Sequence, residues 1–237
     1  MHFHLPKPLH GWREFLGEVG IIVVGVLIAL GAEQVVETFH WQTKVSEART
    51  QLRHEVGHDL ALLDDRISQQ QCVDLRINEL AAIVTEASVS GHLPPLGPIS
   101  RPASYTYPTS VWESQIAAET MTHFPAEETA AISRAYRFIG LVHENSRAEV
   151  QAWLTLKTMV GPGRPIDPAS LSRLVEALEV ARAENFEPKS DKESIFRVLV
   201  KGGLGSDFPQ LDTRNPPVLA NGEPPICEPI GKPPETY

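Results

Sequence analysis

Residues 12–41 read WREFLGEVGIIVVGVLIALGAEQVVETFHW, and the rest of the chain is organised around how this stretch is interpreted. Its centre, residues 19–32, is an uninterrupted run of apolar residues and glycine. A helix through a bilayer needs about 20 such residues to cover a hydrocarbon core of about 30 Å. The window 15–36 offers about 22 positions, or about 33 Å of helix. Glu18, Glu33 and Gln34 lie near its ends, where polar groups reach headgroups or water. Trp12 and Phe15 stand on one side and Phe39 and Trp41 on the other, as interfacial aromatic belts require. On a straight helix the two tryptophans are roughly 43 Å apart, close to the full bilayer thickness. The expectation is a transmembrane anchor over 12–41, with the lipid bilayer as its first partner.

Two other readings compete. The small residues around Ala29-Leu30-Gly31 suit a signal-peptide cleavage site. Against this, Glu14 and Glu18 sit in the leader and the helical pattern runs on past the apolar core. A buried helix of a soluble domain is permitted by the shortness of the uncharged run. Within the span, Gly25 and Ala29 form one small-xxx-small pair on a face shared with Glu33, a surface suited to packing on another transmembrane helix. Glycine and alanine are also common in spans for no such reason. Lys7 and Arg13 precede the span and Lys44, Arg49 and Arg53 follow it, so the basic residues do not decide orientation. The expected arrangement keeps the short N-terminus in the cytoplasm and exports the remainder.

The chain has 237 residues, room for one medium domain beyond the anchor. A net charge of −9 and the absence of a lysine-arginine cluster argue against a nucleic-acid partner. Cys72 and Cys227 either pair, tying the tail to the first long helix, or stand as isolated thiols, and the sequence leaves both open.

Residues 1–11 form a polar leader with three histidines, read as a disordered or interfacial cap rather than a copper or zinc site. From 43 to 88, Leu52, Val56, Leu60, Leu63, Val73, Ile77, Leu80 and Val84 fall at helical steps, predicting one amphipathic helix stopped near Gly91. Five prolines make 91–108 an irregular crossing. Ser110 and Glu113 have capping-box spacing and open a short helix. Pro125 opens the next, with Glu127 and Glu128 in its first turn and a stripe through Ile132, Ala135, Ile139, Val142, Val150, Trp153 and Val160. Gly161-Pro162 stops it. Asp167-Pro168 starts another, burying Leu171, Leu174, Val175, Leu178 and Ala181. A second box, Ser190 with Glu193, predicts a separate short helix to Lys201. The proline-rich segment 202–237 shows no periodicity and reads as an irregular tail. The predicted fold is all-α: a transmembrane helix continuing into an antiparallel helical bundle over 42–201.

One motif points to chemistry. His54-Glu55-Val56-Gly57-His58 matches H-E-x-x-H, in which two histidines one turn apart hold zinc and the glutamate activates the metal-bound water. A third ligand is needed. Asp64 is ten residues from His54 and turned away on a straight helix, and Glu79 is distant. The competing reading is a polar patch on a juxtamembrane helix. No nucleophile elbow, phosphate loop or dinucleotide fingerprint occurs. Trp112, Tyr136 and Trp153 line a ligand pocket or, more simply, fill a core. The glycines at 202–205 form an anion nest or a helix-ending turn.

Two segments, FLGEVGIIVVGVLIALGAEQVVE with the following LRHEVGHDLALL, and SVWESQIAAETMTHFPAEETAAISRAYRFI, resemble a family of bacterial single-span membrane proteins classed as a domain of unknown function. In that family a Trp-Glu helix precedes a helix with a central tyrosine, and Trp112, Glu113 and Tyr136 are the matching positions. The resemblance implies no activity and no catalytic residues, and the histidines at 54 and 58 are not part of its pattern. Three functional expectations follow. The first is a non-enzymatic accessory protein of the bacterial inner membrane, with no cofactor and with a transmembrane or periplasmic partner or a second copy of itself. The second is a tethered zinc peptidase using Glu55, His54 and His58. The third is a ligand-sensing periplasmic bundle.

Overall fold

The computed structural model describes residues 11–205, 208 and 225–231. The leader histidines and most of the proline-rich tail lie outside the described residues. The chain divides into two compact units, Met1–Ala48 and Arg49–Tyr237.

The first helix, α1, spans Trp12–Ser68. Among the described residues it is the one helix long and apolar enough to cross a membrane, and none of its apolar segment is buried. Ile21, Ile28 and Val36 are among the side chains it leaves exposed. Thr38 and Thr43 donate their hydroxyls to the carbonyls of Gln34 and Phe39, at 2.7 and 3.1 Å, so these polar groups are satisfied within the helix. Gly25, Ala29 and Glu33 are all exposed, and the space beside Gly25 is open.

The second unit is all-α. It is built from the C-terminal part of α1, α2 (Gln70–Ser90), the short α3 (Ser110–Ala117), α4 (Ala126–Lys157) and α5 (Pro168–Lys201). Two dipeptides, β1 (His92–Leu93) and β2 (Arg164–Pro165), pair antiparallel. The helical stripe predicted over 43–88 is interrupted at Gln69, whose amide bonds back three residues to Arg66, giving two helices instead of one. Gly91 ends α2 with φ +71, where a glycine carries no steric penalty.

Side-chain partners set the helix directions. Arg49 meets Glu128, Glu55 meets Tyr136 and Arg66 meets Glu149, at sequence separations of 79, 81 and 83. A nearly constant separation means that α1 and α4 run parallel. Lys192 reaches Asp64 while Asn185 reaches Gln70 and Asp74, so α5 runs against both. At its C-terminus, a Cβ on Gly202 would lie 2.0 Å from the Cβ of Ala131, early in α4. Glycine there lets the two backbones close. The glycine segment is a helix-ending turn: Gly203 has φ +82, and the Leu204 amide bonds to Leu199 at 3.1 Å.

Several local expectations need correction. Ser110 and Glu113 do not form a reciprocal box: Thr109 precedes the helix, and its hydroxyl donates to Glu113 at 2.7 Å. Ser190 and Glu193 open no helix, because α5 runs through Pro188 without a break. The lost amide there is outweighed by burial on either side, at Leu174, Leu178 and Ala181 before it and Ile195 and Leu199 after it. Val175 is exposed, and Ala177 takes the buried place assigned to it. By contrast, Asp167 accepts from the Ser170 amide at 2.9 Å with Pro168 in the first turn, as its sequence predicts. Cys72 and Cys227 form a disulfide, and beside it Ile226 is fully buried.

Candidate functional site

The H-E-x-x-H motif lies on the part of α1 that faces α3 and α4. Glu55 is buried, His58 is half-buried and His54 is exposed. The Glu55 carboxylate is occupied by the protein's own donors. It accepts from the Tyr136 hydroxyl at 2.6 Å, the amides of Val111 and Trp112 at 2.8 and 3.2 Å, and the Ser110 hydroxyl at 3.3 Å. Two of these are orphan amides in the first turn of α3, so a residue far away in sequence caps that helix. The Trp112 ring stacks on Tyr136, with centroids 5.0 Å apart and planes 10° from parallel. Burial first, and then the bond to Glu55, drive the Tyr136 phenol well above its ordinary range, so it stays a donor.

This arrangement does not suit a general base, which needs a free lone pair directed at a metal-bound water. The proposed third ligands are engaged too. Asp64 is ion-paired with Lys192, and Glu79 with Arg76. Among the described residues no group of three histidine, cysteine or acidic side chains is placed to hold a metal. Of the family-pattern positions, Trp112 and Tyr136 are brought together, while Glu113 is exposed and bonded to Thr109. Trp153 is fully buried in the core among Leu80, Leu156 and Leu178.

The reason for so many polar groups on α1 lies in the crossing. Past β1 and the Leu96–Gly161 bridge, the chain returns along α1 in extended form. Gln69 accepts from the Ala103 amide at 3.0 Å, Asp65 accepts from the Tyr105 hydroxyl, and Glu55 receives residues 110–112. Side chains at 55, 65 and 69 thus supply acceptors to the crossing and to the first turn of α3. Nothing in a helical hydrophobic pattern signals this role, because the partners are more than 30 residues away.

Two further features escaped sequence reasoning. Asp59, one turn beyond Glu55, is buried, and neither carboxylate oxygen has a partner among the described residues. Burial, reinforced by the neighbouring Glu55 charge, pushes its carboxyl up to about 8, so it is largely protonated at neutral pH. The second is a buried brace. Arg66 donates to Glu149 at 3.2 Å and to Asn185 at 3.0 Å, and Asn185 donates to Asp74 at 2.7 Å and to the Gln70 carbonyl at 3.1 Å. One network therefore links α1, α4, α5 and α2. Its sequence signal is slight: Glu149 and Asn185 are polar residues at positions where the helical stripes expect apolar ones.

No protein-family model, curated protein or solved structure matches the chain. Its functional reading rests on its own geometry.

Proposed function

We propose that this protein is a non-enzymatic accessory or interaction module of the bacterial inner membrane, anchored by residues 12–41 with its helical domain in the periplasm. The observation that carries the reading is the fate of Glu55. The one catalytic-looking motif in the chain spends its carboxylate on Tyr136 and the start of α3. The exposed apolar length of α1 supports the anchor. The Cys72–Cys227 disulfide supports an oxidising compartment, since cytosolic thiols are kept reduced. Gly25, Ala29 and Glu33 offer the lateral membrane contact, to a partner helix or a second copy.

Three measurements test this. Metal analysis of the purified full chain is expected to find less than stoichiometric zinc. Stoichiometric zinc that disappears in a His54→Ala, His58→Ala double variant favours the peptidase instead. In native cells both cysteines should resist alkylation until a reductant is added; free thiols would place the domain in the cytoplasm. Crosslinking in native membranes should capture a partner or dimer that Gly25→Leu weakens, and an unchanged pattern would remove the proposed contact face.

A further inference from the structure

Beside the junction of α4 and α5 lies an open cavity of about 650 Å³. That is within the usual size of small-molecule sites. Its walls are mixed. Leu93 and Leu174, both buried, and the half-exposed Leu154 give it an apolar lining. Arg164 and Arg173 supply the positive charge.

Neither arginine meets a carboxylate among the described residues. Arg164 is spent on backbone: it donates to the carbonyls of Val160 and Pro162 at 3.4 and 3.3 Å and to that of Thr158. Arg173 is exposed, and among the described residues it donates to the Ser170 hydroxyl at 2.9 Å. The acid in the lining, Asp167, is committed to the cap of α5, accepting from the Ser170 amide and hydroxyl at 2.9 and 2.6 Å. Two arginines against one carboxylate leave the lining at +1 in a chain whose net charge is −9. The start of α5 adds little, because its own aspartate already fills it. The Arg173 guanidinium remains, with donors to spare beside an apolar wall.

We propose that this groove binds a small monocarboxylate with an apolar body of about one aromatic ring, its carboxylate on Arg173 and its body over Leu154 and Leu174. A guanidinium that spends one donor on Ser170 and meets no carboxylate keeps enough donors for a two-bond fork with a ligand carboxylate. The lining charge of +1 balances a monoanion better than a phosphate dianion. The inference goes beyond the accessory role and does not depend on the membrane reading, because every residue it uses belongs to the second unit.

The test is calorimetric titration of 3-phenylpropanoate into the full chain in lipid nanodiscs, with empty nanodiscs as blank. Its uncharged amide is the control ligand. Saturable one-to-one binding in the millimolar range is expected, with the amide at least about tenfold weaker. Arg173→Gln, at an exposed position, should weaken the carboxylate about tenfold and leave the amide unchanged, whereas Leu154→Asp should weaken both. No saturable heat, equal binding of acid and amide, or full affinity in Arg173→Gln would each overturn the proposal.

Discussion

The two ends of the helical domain are held together by different means. Around α2, the end of α4 and the start of α5 the core is mainly apolar, although Arg76 is buried there. Val73, Ile77, Leu80, Trp153, Leu156, Leu178 and Ile226 interlock, and the Cys72–Cys227 bond closes the region. Around residues 49–66 of α1 the interior holds Glu55, Asp59, Arg66, Glu128 and Glu149, all buried. The difference follows from what each end must cover. At the apolar end the irregular segments satisfy one another's backbone: β1 pairs with β2, Leu96 with Gly161, and the Gly97 amide donates to the Gly231 carbonyl at 2.8 Å. The polar end must hold the returning crossing and the first turn of α3, and both need acceptors supplied from outside.

The sharpest way to break this comparison is to remove one charge from the brace. Arg66→Met leaves Glu149 buried without its cation and should cost about 3–5 kcal/mol in urea denaturation. Adding Glu149→Leu should recover most of that loss, because two matched apolar groups need no partner. If the single variant is as stable as the parent, the brace does not hold the polar end together.

Next in size is the apolar end. Replacing both cysteines by serine opens a loop of 155 residues and should lower stability by about 2–4 kcal/mol. Hydrogen exchange should quicken around residues 72–84 more than around 128–142. Equal quickening at both ends would show that they unfold as one.

Asp59 separates the two ends by pH. Its folded carboxyl titrates near 8, against about 4 unfolded, so the folded state holds the proton more tightly. Stability associated with this proton is complete below pH 4 and is lost as pH rises through 8. Asp59→Asn removes that dependence and should be more stable than the parent at pH 9 by about 2 kcal/mol, with little difference at pH 4. A parent whose stability is flat from pH 5 to 9 would contradict the burial of this acid.

The smallest effect is expected at the contact of α4 with the end of α5. Gly202→Ala puts a methyl into Ala131 and should cost about 1–2 kcal/mol, partly recovered by Ala131→Gly. No loss would mean that the helix end shifts freely.

Much of the architecture was legible. The stop at Gly91, the opening at Pro125 and the cap at Asp167 are local events, each decided by a few neighbouring residues. The failures were also informative. Ser110 and Ser190 have capping-box spacing, yet a distant carboxylate caps α3 and tertiary burial carries α5 past Pro188. The candidate site was half legible. H-E-x-x-H drew attention to Glu55, and the resemblance drew attention to Trp112 and Tyr136, but nothing in either connected them.

The sequence by itself determined an all-α chain, an apolar helix long enough for a bilayer, and most helix ends, because periodicity, length and capping are properties of adjacent residues. The tertiary structure alone decided that Glu55 serves α3 and Tyr136, that Cys72 finds Cys227, and that Asp59 has no hydrogen-bond partner among the described residues. A carboxylate has no role until the donors around it are known, and here those donors come from segments more than 50 residues away.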